Sequence, residues 1–192
     1  MDKLIELDTL AFRWINSHNN TLLDWTMWTF SQGWSWAVVL IAVLCAVTLR
    51  KERQNWWIVL LCIGACFLLA DRISVMCFKD VVCRPRPCHV LEDVRMFRTH
   101  CGGRYGFVSS HAANVCALAT MLTLRYRRLT EKGKICWTGL LLWLWAAMVM
   151  YSRPYLGKHY PGDVICGALV GMGIGALVWW ISTRLETKRN KK

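Results

Sequence analysis

Apolar residues gather in five long blocks, at about 34–49, 57–78, 109–124, 135–151 and 162–182, with short polar segments between them. Each block approaches the roughly 20 residues a helix needs to cross the hydrocarbon core of a bilayer. The pattern predicts an all-α, polytopic membrane helix bundle of about five transmembrane helices, with its core made by helix against helix inside lipid. Residues 1–192 read as a single domain, with interfacial helices over 1–33, the transmembrane bundle over 34–182 and a basic cytoplasmic tail over 183–192.

Ahead of the first block, Leu4, Leu7, Ala11 and Trp14 share one helical face, with Ile5 and Ile15 beside it, while Asp2, Glu6, Asp8 and Arg13 lie elsewhere. That periodicity predicts an N-terminal amphipathic helix, either lying in the membrane interface or packed on the bundle as a surface helix. Residues 17–20 form a turn. Thr21 is expected to cap a second short helix, with Asp24 as a capping-box-like acceptor. Trp25, Trp28, Trp34 and Trp36 follow as an aromatic belt at headgroup level. Gly167, Gly171 and Gly175 make a small-residue stripe in the fifth block that lets another helix approach within the bundle. Asp71 and Arg72 interrupt the second block. Charges there are costly unless they face the bundle or form an ion pair.

Charge adds an orientation. The chain carries 24 basic and 12 acidic residues, a net +12. The segments 50–56, 125–134 and 183–192 hold thirteen of those basic residues against three acids. By the positive-inside rule these three lie in the cytoplasm. Five crossings then place the N-terminus, the 79–108 loop and the 152–161 loop together on the outer face. The excess of cations is thus accounted for by the membrane, and nucleic-acid binding is not expected. The first residues lack a basic stretch followed by an apolar run, so no cleaved signal peptide is expected. Of ten cysteines, six fall in apolar blocks and read as small core residues. Cys83, Cys88 and Cys101 share a polar loop, where a zinc pattern is weak and a Cys88–Cys101 disulfide is favoured if the loop faces an oxidising compartment.

Three polar clusters fall on the outer face. The first, K-D-V-V-C-R-P-R-P, contains Lys79, Arg84 and Arg86, and its prolines stiffen the chain around the two guanidinium forks. The second, V-S-S-H, puts Ser109, Ser110 and His111 where the third block begins, and free N–H groups at a helix start bind anions. The third, S-R-P-Y-L-G-K-H-Y-P-G-D, holds Arg153, Lys158, His159 and Asp163, with Pro161 as a first-turn residue of the fifth helix.

In order and spacing, these clusters resemble the three-part signature of the type 2 phosphatidic acid phosphatase superfamily, which includes vanadium haloperoxidases and glucose-6-phosphatase-like enzymes. The resemblance covers about residues 57–180. It implies a lipid phosphatase in which His159 is the nucleophile, Asp163 orients its ring, and His111 protonates the leaving oxygen and later activates water. Lys79, Arg86 and Arg153 would clamp the phosphate, with Ser109 and the Ser110 N–H beside them. This chain departs from the family's usual Pro-Ser-Gly-His by reading Val108-Ser109-Ser110-His111. Neither a metal nor another cofactor is implied. The expected partners are a lipid phosphate and the bilayer, with the site on the periplasmic face of a bacterial inner membrane. Expected substrates are an isoprenyl diphosphate such as undecaprenyl diphosphate, or lipid A. Phosphatidylglycerol phosphate and phosphatidate are alternatives, and a non-catalytic lipid-phosphate binder or transporter is the competing class. Lys158 matches no motif position and is expected to face lipid phosphates, and His89 and His100 read as surface residues. Oligomeric state is not specified.

Overall fold

A computed structural model of the chain describes residues 2–48, 56–129 and 136–189. Among them the regular elements are helical: α1 (Asp2–Ser17), α2 (Thr21–Ser31), α3 (Gly33–Thr48), α4 (Trp56–Ile73) running into a π-helical turn (Ser74–Lys79), the short α5 (Asp80–Val82) and α6 (Pro87–Val90), then α7 (Ser110–Leu129), α8 (Trp137–Tyr155) and α9 (Pro161–Arg189). A lone antiparallel bridge joins Pro85 to Tyr105.

The bundle is built around α7, which packs against α4, α8 and α9. Val59, Cys62 and Cys66 of α4, Ala113, Cys116 and Leu118 of α7, Leu142 and Ala146 of α8, and Ile174 and Val178 of α9 are buried together. The glycine stripe of α9 faces α7, as a bundle-packing stripe should. A Cβ on Gly171 or Gly175 would fall 2.2 or 2.3 Å from the carbonyl oxygens of Ala113 and Ala117, and one on Gly167 would fall 2.6 Å from that of Ser109. Because α7 is enclosed by protein, it can carry Ser, His, Asn and Arg without exposing them to lipid. Among the described residues two helical segments are long and apolar enough to cross a membrane, Trp56–Val82 and Pro161–Lys188, and Gly33–Val43 is a shorter apolar stretch. The expected count of five therefore extends past the helices that meet that test.

Several boundaries differ from expectation. Helix α8 runs through Arg153 to Tyr155, so the connection to α9 is only residues 156–160, not 152–161. Helix α7 continues to Leu129, and Arg125, rather than standing in a loop, is buried and pairs with Glu186 of α9 at 2.8 Å. The expected tail is helical through Arg189. The expected loop residues 50–55 and 130–134, and the last three residues, lie outside those described.

Helix α1 has two working faces. Leu4, Leu7 and Trp14 of its apolar face are exposed, while Phe12 and Asn16 are buried against the bundle and Asp8 shares their face. Helix α2 starts on Asn20, not Thr21: Asn20 Oδ1 accepts the Leu23 N–H at 2.9 Å. Nor is Asp24 a capping-box residue. It is buried and takes both guanidinium nitrogens of Arg95, at 2.7 and 2.6 Å, and the Tyr155 hydroxyl at 2.8 Å. The hydrogen bond from Arg95 holds the Asp24 carboxyl below the usual carboxylate range, against the opposing effect of burial. Asn16 completes this brace, donating to the carbonyls of Arg95 and Tyr155 and accepting the Arg95 N–H. The 91–109 segment is thereby fastened to α1, α2 and the end of α8.

Candidate active site

The ends of α4, α7, α8 and α9 that meet at one end of the bundle supply the three polar clusters. The π-helical turn delivers Lys79 at its last residue, and Lys79 Nζ donates to Ser110 Oγ on the first residue of α7 at 2.7 Å. Arg86 follows the Pro85–Tyr105 bridge, where its N–H donates to the Arg104 carbonyl at 3.0 Å and its Nε to the Tyr105 carbonyl at 3.3 Å. Arg153, on the last turn of α8, is 1% exposed and donates from Nε and Nη2 to Ser152 Oγ at 3.1 and 2.9 Å. Gly157, at φ 77°, then turns the chain where a Cβ would lie 2.6 Å from Val94 Cγ1, and the turn presents Lys158 and His159.

His159 is 3% exposed and Asp163 fully buried. His159 Nδ1 lies 3.5 Å from Asp163 Oδ2, a little beyond hydrogen-bond length. The same Oδ2 accepts the Tyr160 N–H at 3.0 Å, and Oδ1 accepts Arg84 Nη1 at 2.8 Å. Gly106 packs closely alongside, since a Cβ there would fall 3.1 Å from Asp163 Oδ2 and 3.4 Å from His159 Nδ1 and would press on both. The Ser109 N–H donates to the Asp163 carbonyl at 3.0 Å, joining the start of α7 to the first turn of α9.

Lys79, Arg86, Ser110, His111, Arg153 and His159 line one cavity of about 440 Å³, whose wall is completed by Trp36, Asp71, Gly102 and Asn114 among others. Trp36 meets the His111 ring edge-on at a centroid distance of 5.2 Å. Two residues are placed differently from expectation. Lys158 lines this cavity rather than facing lipid. Ser109 is fully buried outside the lining, its Oγ 3.5 Å from the Ala112 N–H as the cap of α7, so the cavity hydroxyl is that of Ser110. Asp71 is on the cavity wall, and no ion pair joins it to Arg72 among the described residues. His89 is exposed, and neither it nor His100 lines the cavity. Cys88 and Cys101 are joined as a disulfide with Cα atoms 5.9 Å apart, while Cys83 is a free, exposed thiol. Sequence reasoning missed the partners of Asp163. Arg84, which pairs with Asp163, stood in the first cluster without a role, and Asp8, which pairs with Arg84, is too distant in the chain for any spacing to reveal it.

The cavity is strongly cationic. Burial, then the charges of Arg86, Arg153 and Lys79, hold the His159 imidazole well below its usual pKa, so the ring is neutral. Burial and the charges of Arg153 and Arg86 bring the Lys158 ammonium down to about 8. The arrangement can hold a phosphoryl group among guanidinium and ammonium donors, with an unprotonated imidazole beside it and a carboxylate behind that imidazole.

The model of the PAP2 superfamily matches residues 55–186, which contain all three clusters. The chain belongs to this superfamily and is a membrane lipid phosphatase of the PAP2 type. It is 29% identical to the lipid A 4'-phosphatase of Porphyromonas gingivalis across 93% of this chain and 74% of that protein. It is also 31% identical to the decaprenylphosphoryl-5-phosphoribose phosphatase of Mycobacterium tuberculosis, across 76% of this chain and 70% of the relative. Among solved structures it is similar to Aquifex aeolicus LpxE, with a TM-score of 0.64 and 26% identity over 90% of this chain and 94% of the other. A PAP2-type phosphatidylglycerolphosphate phosphatase from Bacillus subtilis shares the fold, with a TM-score of 0.69 at 18% identity over 98% of this chain and 88% of that one.

Proposed function

We propose that the protein removes a phosphate group from an envelope lipid through a phosphohistidine on His159, with a lipid A phosphate as the leading substrate. The observation that carries this reading is the placement of His159, with Asp163 behind it, in one cavity with Lys79, Arg86, Arg153 and His111. His159 Nδ1 is turned to Asp163, which leaves Nε2 to attack phosphorus. As the N–P bond forms, the P–O bond to the lipid breaks, and His111 gives its proton to the departing oxygen. His111 then takes a proton from water, whose oxygen attacks phosphorus. The N–P bond breaks, releasing inorganic phosphate and restoring His159. The three cations and the Ser110 hydroxyl stabilise the oxygens on which charge redistributes.

Lipid A leads because two relatives similar over nearly the whole chain, from Porphyromonas gingivalis and Bacteroides thetaiotaomicron, are lipid A 4'-phosphatases. Undecaprenyl diphosphate, phosphatidylglycerol phosphate and phosphatidate form the comparison set. We place the site on the periplasmic face of a bacterial inner membrane with five crossings, supported by the basic residues at the far ends of α7 and α9. The test is phosphate release by purified protein across lipid A and that comparison set, with His159→Ala as the blank. Fastest release from lipid A and none from His159→Ala is expected. Full turnover by His159→Ala would sink the phosphohistidine, and no release from any lipid phosphate would favour a binding or transport protein.

A further inference from the structure

The N-terminal helix reaches the chemistry through an ion-pair chain. Asp8, on the inward face of α1, accepts Arg84 Nη2 at 2.8 Å through Oδ2 and the Gly162 N–H at 2.7 Å through Oδ1. Arg84 donates Nη1 to Asp163 Oδ1 at 2.8 Å, and its guanidinium carbon sits over the Tyr160 ring, 4.1 Å from the centroid. The other oxygen of Asp163 is the one turned to His159. A line of ion pairs therefore runs from Asp8 through Arg84 to Asp163, whose second oxygen faces the His159 ring at 3.5 Å.

Each member has a physical reason to be there. Asp163 is fully buried, and a buried carboxylate needs a cation to remain charged. Arg84 supplies it, yet an arginine with no second partner could turn its whole fork onto Asp163 and draw that carboxylate from the imidazole. Asp8 occupies the second arm of the fork and so divides the guanidinium between two acids. A Cβ at Gly162 would fall 2.8 Å from Asp8 Oδ2, so a side chain there pushes the Asp8 carboxylate aside. Neither Asp8 nor Arg84 lines the cavity, and Asp8 lies outside the segment matched by the superfamily model.

We propose that Asp8 and Arg84 are positioning residues for the reaction, setting the Asp163 carboxylate against His159, and that α1 is thereby part of the catalytic apparatus. The inference rests on the reading of His159 as nucleophile. It separates turnover from binding: disturbing the chain should lower kcat and leave the phosphate clamp intact.

The test uses the full chain in detergent, with lipid A and dioctanoyl phosphatidate as substrates and inorganic phosphate as a probe of the clamp. Asp8→Asn and Arg84→Gln should each lower kcat about tenfold or more, the scale expected when a reacting group is misplaced. KM and inhibition by inorganic phosphate should stay within about twofold, as expected when interactions made only in the transition state are lost. Arg84→Lys should recover part of the loss. The double variant should be no slower than Arg84→Gln, because both act through one chain. Gly162→Ala, which displaces Asp8 without removing a charge, should reproduce the Asp8→Asn defect and decides the matter if Arg84→Gln does not fold. Folded Asp8→Asn and Gly162→Ala proteins with kcat within twofold of wild type would overturn the proposal, as would losses confined to KM. His159→Ala run alongside distinguishes the two failures: if it is inactive while these variants are not, only the positioning role falls, and if it turns over normally, the nucleophile reading falls first.

Discussion

A side chain at Gly171 would put its Cβ 2.2 Å from the carbonyl oxygen of Ala113, so α7 and α9 touch backbone to backbone. That contact sets the distance between Ser110 and His111 at the start of α7 and Asp163 at the start of α9. Gly171→Ala should destabilise the protein by about 1–3 kcal/mol, the usual range for overpacking. It should also reduce activity, because α9 must move away from α7. The thermal midpoint in detergent and the specific activity should fall together. An unchanged midpoint would mean that the helices separate without cost.

The neutral state of His159 has a sign for stability. Its folded pKa lies well below the ordinary value, through burial and then the Arg86, Arg153 and Lys79 charges, whereas an unfolded chain takes up that proton near pH 6.5. The contribution is therefore complete above about pH 6.5 and declines as pH falls below it, by about 1.4 kcal/mol per pH unit while only the unfolded state is protonated. Denaturant unfolding of wild type and His159→Gln across pH 5–7.5 tests this. The wild type should lose more stability toward acid than the variant, and parallel curves would contradict the buried neutral ring.

Lys158 titrates on the other side of neutrality. With its pKa brought down to about 8 by burial and by Arg153 and Arg86, it adds a positive charge to the cavity below that pH and loses it above. Inhibition by vanadate should weaken as pH rises through about 8 in wild type. Lys158→Met should bind less tightly at pH 7 and show a flatter profile, and Lys158→Arg should hold its affinity to higher pH. A wild-type profile matching that of Lys158→Met would remove Lys158 from the phosphate's surroundings.

The Cys88–Cys101 disulfide fixes the chain directly before Gly102, which packs on Arg86 with its Cβ direction 3.8 Å from Nη1. Reduction should lower stability by about 3 kcal/mol, the scale for a loop of this length, and raise KM more than it lowers kcat as Arg86 loses its wall. Mass spectrometry of non-reduced peptides should recover the linked pair. Two free thiols in protein taken from the membrane would remove this constraint from the native state.

Much of the site is legible before folding because its donors sit at the ends of apolar blocks, at short spacings that carry their own chemistry. Lys79, Arg86, His111, Arg153, His159 and Asp163 were named from those spacings together with the family signature they resemble, and the fold sets the first five on one cavity wall with Asp163 behind His159. Ser109 was expected beside the phosphate with only the N–H of Ser110, whereas the Ser110 hydroxyl lines the cavity and Ser109 caps α7, because that choice depends on the rotation of a helix about its axis. Lys158 was misjudged for a related reason: the turn at Gly157 aims it inward. Asp24 looked like a cap because it lies three residues after Thr21, yet its partners Arg95 and Tyr155 come from remote segments.

By itself the sequence determined that this is a helical membrane chain, which cations and histidines could meet a phosphate, and which glycines face a neighbour, because hydrophobic period, residue chemistry and local spacing are properties of short stretches. Only the tertiary structure decided that Asp8 holds Arg84, that Arg84 holds Asp163, and that α1 turns Asp8, Phe12 and Asn16 inward while its apolar face looks out. Those facts depend on segments far apart in the chain meeting at fixed angles, and that arrangement is set by the close crossing of α7 and α9 and by the packing of α1 and α2 on the ends of the bundle.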